Sequence, residues 1–253
     1  MRRRESLVHD ASVPATVKRF SRRRFLSSAL AGTGFLLLPK RMRGEVAPAS
    51  DWPCHGCDAT QTRANPAESS LGEALVPSLE LRWEFAAGSG ITATPVVVGE
   101  RVIAGSWDGR VHALDRTTGK ELWAFDAGVR AYPPTRKLGV FAAVAVMGER
   151  VFVASDRIVA LDLASGRPLW QRVIGDPEKT YEYFWAPPLA HQGRVYAGVS
   201  AGSETETRGR IVCLDAATGE VVWTFFTVAA DVAGGSLIAP PSLDVASGTL
   251  YAA

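Results

Sequence analysis

The residues of this sequence that could do chemistry include a pair of cysteines three positions apart. Cys54 and Cys57 stand in the stretch C-H-G-C. Covalent haem attachment needs a His directly after the second cysteine, and Asp58 follows it here. A zinc site needs two further ligands at matching spacing, and the sequence shows none. The pair is therefore compatible with a local disulfide in an oxidising compartment or with two incidental thiols.

Two carboxylates, Glu204 and Glu206, stand in the polar stretch GVSAGSETETRGRIVCLD. Carboxylate oxygens are hard ligands of the kind that calcium prefers. Two glutamates on one side of an extended loop are also what ordinary solvated charge looks like. The four histidines are scattered along the chain and suggest neither a catalytic nor a metal cluster.

A repeated pattern must position these residues. It is written three times, as GRVHALDRTTGKELWAF (109–125), RIVALDLASGRPLWQRV (157–173) and GRIVCLDAATGEVVWTF (209–225). The copies align in three columns, which hold Asp115, Asp162 and Asp215, then Gly119, Gly166 and Gly219, then Trp123, Trp170 and Trp223. Such self-similarity decides the fold before any other signal.

Each copy is a short apolar strand, an Asp, a turn with Gly, and a second strand. Further strand-like runs precede each copy, so a repeat contains about four strands and no helical period. The sequence predicts an all-β protein, a β-propeller with about three complete blades and part of a fourth. We expect Trp123, Trp170 and Trp223 to lie between neighbouring blades as docking residues.

The N-terminal residues 1–49 have a composition of their own. They carry a net charge of +8, whereas the rest of the chain carries −6, which gives no reason to expect nucleic acid as a partner. The stretch SRRRFLSS places Arg22 and Arg23 before an apolar run over 25–38 and resembles a twin-arginine export signal. That run is shorter than the roughly 20 residues that span a bilayer, so we predict a cleaved signal peptide (1–49) and no stable membrane anchor.

The repeat A-x-D-x-x-T-G-x-x-x-W resembles that of pyrroloquinoline quinone (PQQ) enzymes and their non-catalytic relatives. The opening DWPCHGCDATQTRANPAE is similar to the entry of quinoprotein dehydrogenases, and WEFAAGSGITATPVVVGERVIAGSWDGRVHALD looks most like the polyvinyl-alcohol-dehydrogenase branch. The resemblance implies an entry segment (50–82) followed by a partial PQQ-repeat propeller (83–253), in a family whose propellers have eight blades.

The resemblance also implies site residues. The family's calcium-binding Glu lies four residues before Arg-Gly, which is Glu204 here, as a ligand for calcium and PQQ. Where the family has a Trp as the floor under the quinone, this chain has Ile238, and where many relatives have an Arg it has Leu138. The family's Asn ligand and catalytic Asp are expected beyond residue 253, so no catalytic residue is assigned and the chain is expected to be an N-terminal part.

Together these features imply an exported, periplasmic or secreted oxidoreductase that oxidises alcohol or polymer-alcohol groups with PQQ and calcium and passes electrons to a cytochrome c-type acceptor. The alternative is a non-catalytic propeller that acts as a binding or scaffolding module. Ile238 favours the alternative, and Glu204 with the entry segment favours the enzyme.

Overall fold

The computed structural model describes residues 51–69, 71–132, 136–175, 182–200, 208–232 and 234–253. Within these residues the chain forms three four-stranded antiparallel sheets and the beginning of another. Blade 1 consists of β1 (Val96–Val98), β2 (Arg101–Gly105), β3 (Arg110–Asp115) and β4 (Glu121–Asp126). Blade 2 consists of β7 (Ala145–Met147), β8 (Arg150–Ala154), β9 (Ile158–Asp162) and β10 (Pro168–Arg172).

Blade 3 consists of β11 (Leu189–His191), β12 (Arg194–Val199), β13 (Arg210–Asp215) and β14 (Val221–Phe226). The hairpin of β15 (Ser242–Asp244) and β16 (Thr249–Tyr251) starts a fourth blade. A small hairpin of β5 (Arg130–Tyr132) and β6 (Arg136–Leu138) lies in the linker between blades 1 and 2, and a 3-10 helix covers Val76–Ser78. The predicted all-β propeller, with three complete blades and part of a fourth, is confirmed.

The first strand of each blade lies innermost. β7 packs beside both β1 and β11, whereas β4, β10 and β14 are the last strands of their sheets. Because the strands alternate in direction, all linkers between blades and all loops between second and third strands lie at one end of the blades, the linker end. The repeated Asp–Gly turns lie at the opposite end, the docking end.

The Asp–Gly turns form for local reasons. Asp115 accepts hydrogen bonds from the backbone N–H groups of Thr117 and Thr118, at 3.1 and 2.7 Å. Gly119 closes the turn at φ +70°, a conformation that costs glycine little. The turn at Asp215 repeats both bonds, and at Asp162 the N–H of Ser165 repeats the second one. In all three turns, hydrogen bonds from the turn to the carboxylate lower the Asp pKa.

A β-bulge precedes the tryptophan in every blade. Trp123 pairs with Ala113 but Glu121 pairs with Leu114, so Leu122 is the extra residue. The same shift makes Leu169 the extra residue in β10 and Val222 the extra residue in β14. A bulge re-aims the side chains that follow it. In β14 the regular alternation of the two faces therefore starts only at Trp223, and Val221 is exposed.

The hydrophobic core is divided among the blade interfaces. One cluster joins blades 1 and 2 and includes Val96, Ile103 and Leu161. A second joins blades 2 and 3 around Phe152 and Leu214. A third joins blade 3 to the β15–β16 hairpin.

The entry segment runs across the inner strands. Trp52 pairs with Val97 on the free edge of β1, at 2.7 and 3.0 Å. The Pro53 carbonyl accepts the N–H of Val146 in β7 at 2.8 Å, and the Ala59 carbonyl accepts the N–H of Leu243 in β15 at 2.8 Å. The segment thus ties blades 1, 2 and 4 together and covers strand edges that would otherwise be unpaired.

Among the described residues no helix combines the length and the hydropathy of a membrane-spanning segment. The boundaries at residues 49 and 82 stay predictions.

Candidate functional site

Four aromatic side chains meet at the linker end. The rings of Trp107 and Phe141 lie edge to face with centroids 4.7 Å apart. The Trp185 ring lies 5.2 Å from Phe141 and 5.3 Å from Tyr183. Trp107 belongs to the β2–β3 loop of blade 1, Phe141 to the next linker, and Tyr183 and Trp185 to the linker after that. The cluster therefore spans blades 1 to 3.

Two hydrogen bonds and a close backbone approach hold Trp107 in place. Its N–H donates to the Gly90 carbonyl at 2.9 Å and its indole Nε1 donates to Thr92 Oγ1 at 2.8 Å. Gly139 lies directly against the Trp107 carbonyl, where a Cβ would come within 2.3 Å of the oxygen. Only glycine fits this close approach, so Gly139 lets the linker of Phe141 reach the Trp107 loop.

Tyr183 is the buried anchor of the cluster. Its hydroxyl donates to the Gly139 carbonyl, and its backbone pairs with Ser200. Burial raises the pKa of the Tyr183 hydroxyl, so this group stays protonated and acts as a donor. The neighbouring Glu182 forms a buried, bidentate ion pair with Arg210, with Nη2–Oε2 at 3.1 Å. These contacts fix the linker that presents Trp185.

Serines recur at the same position of each blade. Ser106, Ser155 and Ser200 follow the second strand of their blades and are all buried. The carbonyls of Ser106 and Ser155 accept the N–H groups of Val140 and Phe184, at 2.9 and 2.8 Å. Ser200 Oγ donates to the Leu237 carbonyl at 2.8 Å. Each serine therefore attaches the following linker to its blade.

Trp107, Phe141 and Trp185 form what we call the aromatic surface. Trp107 is 42% exposed and Trp185 is 36% exposed, although both make several contacts. Exposed indole rings on a fixed support bind flat or apolar groups well, because they offer a large area and lose little conformational freedom. The arrangement is suited to ligand binding at the linker end.

The residues predicted to form the site have different outcomes. Glu204 lies outside the described residues, in the range 201–207. Arg22 and Arg23 also lie outside them, ahead of residue 51. Ile238 lies in the linker to the fourth blade and is 71% exposed, whereas Leu138 is buried. Within the described parts of the chain, no three or more His, Cys, Asp or Glu side chains are grouped so as to hold a metal ion.

The predicted docking residues lie at the docking end. Trp123 is 9% exposed, and its Nε1 donates to the Leu163 carbonyl of blade 2 at 3.0 Å. Its ring packs on Gly166, where a Cβ would lie 2.6 Å from the indole. The Trp170 Nε1 donates to the Ala216 carbonyl of blade 3 at 3.1 Å, and its ring packs on Gly219.

Trp83, ahead of blade 1, makes the same contact with the Arg116 carbonyl and Gly119. Trp223 is half-buried against the third core cluster, beside Tyr196. Within the described residues its indole N–H has no hydrogen-bond partner. The docking role of the three predicted tryptophans stays a prediction, with stability as its test.

Sequence reasoning missed the aromatic surface and the serine column. The serines were visible as AGS, VAS and GVS after the second strands. Trp107 and Trp185 do not belong to the tryptophan column of the repeat. This departure was the one sequence feature that could have marked them as functional residues. Nothing in their spacing shows that both contact Phe141.

Four-stranded blades around a common axis, tied by Trp–Gly contacts, make this chain a β-propeller of the quinoprotein-repeat class. The PQQ_2 family model, described as outer membrane protein assembly factor BamB, matches residues 78–224. The chain belongs to this PQQ-repeat family.

Its relatives include alcohol-oxidising enzymes. The chain is 33% identical over 202 residues to the quinohemoprotein alcohol dehydrogenase of Comamonas testosteroni, covering 75% of this chain and 27% of the relative. It is 26% identical over 244 residues to a polyvinylalcohol dehydrogenase of Pseudomonas sp, covering 84% and 38%. A solved europium-containing methanol dehydrogenase superposes with a TM-score of 0.63 at 26% identity, covering 72% of this chain and 32% of that one. The chain thus spans 27 to 38% of the length of these proteins.

Proposed function

We propose that this chain is part of an exported quinoprotein-type oxidoreductase that oxidises alcohol groups with PQQ. The observation that carries the proposal is the aromatic surface, which lies at the linker end of a propeller whose relatives are quinoprotein alcohol dehydrogenases. Their names supply the substrate class, an alcohol or a polymer alcohol.

The described residues offer aromatic rings on which a planar quinone could stack. The calcium ligand of the proposal is Glu204, which lies outside the described residues. The exposed rings of Trp107 and Trp185 offer aromatic area on which a flat ring system could stack. PQQ, when bound, supplies the two-electron redox chemistry. The chain's own part is to bind and orient that ring, while the Glu182–Arg210 pair and the Tyr183 hydroxyl keep the supporting linker rigid. We assign Glu204 as the carboxylate for calcium, on the resemblance of its loop.

The remaining parts of the proposal concern partners and location. A cytochrome c-type protein is the proposed electron acceptor, because two relatives carry cytochrome c in their names, the 1-butanol dehydrogenase (cytochrome c) of Thauera butanivorans and a lupanine 17-hydroxylase [cytochrome c] of Pseudomonas sp. The proposed location is the periplasm or the exterior, reached by twin-arginine export through Arg22 and Arg23. These points rest on the sequence of the leader and on the relatives' names.

A non-catalytic binding or scaffolding propeller is the second candidate. Two observations favour it: the exposed Ile238 where the resemblance implies an aromatic floor, and the buried Leu138 where it implies an Arg. Neither side chain can stack on a quinone or pair with its carboxylates. The description of the matching family model, an assembly factor, is in keeping with this candidate.

Equilibrium dialysis against PQQ, with and without calcium, separates the two candidates. For the enzyme we expect saturable PQQ binding that Trp185→Ala weakens by roughly 3- to 10-fold, the effect of losing one aromatic stack. Leu122→Ala, an exposed apolar residue on the outer strand of blade 1, is the control and should bind as the natural chain does. Glu204→Gln should remove any calcium dependence of the binding.

Dye reduction with ethanol and with polyvinyl alcohol then tests turnover separately from binding. If the natural chain binds no PQQ at any calcium concentration, the aromatic surface does not hold PQQ in this chain, and the scaffold candidate is favoured for it. If PQQ binds but Trp185→Ala and Leu122→Ala behave alike, the aromatic surface is not the binding site.

A further inference from the structure

The two cysteines of the entry segment lie at the ends of one tight turn, residues 54–57, the entry turn. The Cys57 N–H donates to the Cys54 carbonyl at 3.1 Å, which closes a four-residue β-turn. Such a turn brings its first and fourth Cα atoms within about 7 Å, and disulfides join Cα atoms roughly 4.4–6.8 Å apart. The backbone therefore already holds the two cysteines in the range of a disulfide.

The environments of the two thiols differ. Cys54 is buried and its Sγ donates to the Asp58 carbonyl at 3.4 Å, whereas Cys57 is only partly buried. Cys57 also has a positive φ of 75°, which is uncommon for a residue other than glycine.

Neither thiol has the character of a catalytic or metal-binding group. Burial raises the pKa of Cys54 to about 11, and burial followed by the charge of Asp58 raises the pKa of Cys57. Reactive cysteines need the opposite, a lowered pKa in an electropositive setting. The pair is therefore suited to a structural bond.

The position of the entry turn gives that bond a purpose. Directly before the turn, Trp52 pairs with blade 1 and Pro53 binds blade 2, and shortly after it Ala59 binds the fourth blade. The turn is thus the link between contacts to three blades. A covalent bond across it would hold these contacts in register.

We propose that Cys54 and Cys57 form an intrachain disulfide that staples the entry segment across the inner strands. The oxidant is a low-molecular-weight disulfide, and the step is thiol–disulfide exchange. The partly exposed Cys57 thiolate attacks one sulfur of the oxidant, forming a mixed disulfide and releasing one thiolate. The Cys54 thiolate then displaces the second thiolate and closes the bond. Two protons leave the protein thiols, and the oxidant is reduced to two thiols.

The third cysteine provides an internal reference. Cys213 is buried in β13, opposite Tyr196 and Trp223, and burial raises its pKa to about 12. It is far along the chain from the entry turn and stays a thiol. All three cysteines are thiols in the structure described here.

The experiment treats the full 253-residue chain with oxidised glutathione and then alkylates it under denaturing conditions. Before oxidation three thiols per chain should be alkylated. Afterwards only Cys213 should be, and the peptide holding both entry cysteines should be lighter by two hydrogen atoms. Because thiolates are the attacking species and both pKa values are raised, closure should accelerate about tenfold per pH unit between about pH 7 and 9.

Two variants define the order of steps. Cys54→Ser should stop at a glutathione adduct on Cys57, whereas Cys57→Ser should react far more slowly because Cys54 is buried. In the closed form, hydrogen exchange of the Val97, Val146 and Leu243 amides should slow roughly threefold or more, with the Val212 amide of blade 3 unchanged. A natural chain that stops at the Cys57 adduct, or that forms disulfide-linked dimers through Cys57, overturns the proposal. So does a closed bond that leaves all four amides unchanged.

Discussion

Replacing Trp123 by alanine tests whether the tryptophans join the blades. The Trp123 side chain leaves β4 of blade 1 and ends on the Asp–Gly turn of blade 2. There its N–H bonds the Leu163 carbonyl and its ring covers Gly166. Trp123→Ala therefore removes a large buried side chain and leaves the Leu163 carbonyl without its donor.

The expected loss is about 3–5 kcal/mol of the free energy of unfolding, which is typical of large aromatic truncations in cores. Trp123→Phe keeps most of the ring contact but not the hydrogen bond, so it should cost less, about 1–3 kcal/mol. The difference between the two variants separates the packing of the ring from the bond to Leu163.

Gly166 allows the contact to be tested from the other side. In Gly166→Ala the new Cβ would lie 2.6 Å from the Trp123 ring, at a backbone φ of +69°. Gly148→Ala is the matched control, because Gly148 has a φ of +57° and nothing within 4 Å of its Cβ position. Both variants should lose about 1–2 kcal/mol for the backbone, and only Gly166→Ala should lose more for the clash.

Urea unfolding followed by far-ultraviolet circular dichroism measures all these variants without relying on tryptophan emission. In the Trp123→Ala background the clash has no partner, so Gly166→Ala should cost no more than Gly148→Ala. The coupling between the Trp123 and Gly166 substitutions should thus be roughly 1 kcal/mol or more in a double-mutant cycle. Additive effects, or a loss of under about 1 kcal/mol for Trp123→Ala, would refute the docking role.

Three further predictions follow from other parts of the chain. Trp170→Ala should lower the free energy of unfolding more than Trp223→Ala in the same assay, because the Trp170 indole has a carbonyl acceptor in the next blade; equal losses would contradict this order. Replacing Arg22 and Arg23 together by Lys should leave the protein in the cytoplasm on fractionation, and normal export of that variant would remove the twin-arginine assignment. Hydrogen bonds from Ser165 lower the pKa of Asp162 below its ordinary 3.8. The ionised Asp162 carboxylate therefore stabilises the folded state above pH 3.8, and this contribution is lost as the pH falls through the folded-state pKa. In urea titrations at several pH values, Asp162→Asn should reduce this dependence of the free energy of unfolding on acid.

The Asp, Gly and Trp columns were predictable because each reports a local requirement. An Asp that accepts two turn N–H groups and a Gly at positive φ are needed wherever this turn occurs, as at Asp115 and Gly119. The spacing of the turns then sets the length of the repeat and the number of blades. The sequence therefore predicted the all-β propeller without any knowledge of contacts between blades.

The bulges and the aromatic surface could not be predicted in the same way. Leu122 is the bulged residue of β4, without a partner in β3. It takes this position because Glu121 before it pairs with Leu114 and Trp123 after it pairs with Ala113. Trp107 and Trp185 are 78 positions apart in the chain. Both contact Phe141, because Gly139 brings the linker that carries Phe141 against the Trp107 loop. Such contacts depend on the packing of whole blades and leave no periodic pattern.

The two ends of the blades differ in what their residues must do. Residues at the docking end hold neighbouring blades together, whereas residues at the linker end are free to differ with function. At the docking end every blade must fit the next, so the same Asp, Gly and Trp recur, and a change such as Trp123→Ala acts on stability. At the linker end only the serines recur, while the aromatic and charged residues differ from linker to linker. Because a fold does not determine chemistry, a propeller can exchange Trp for Ile238 or Arg for Leu138 at the linker end without loss of its docking contacts. The difference between an enzyme and a scaffold must therefore be decided by ligand binding at Trp107 and Trp185, since stability measurements at the docking end would give the same result for both.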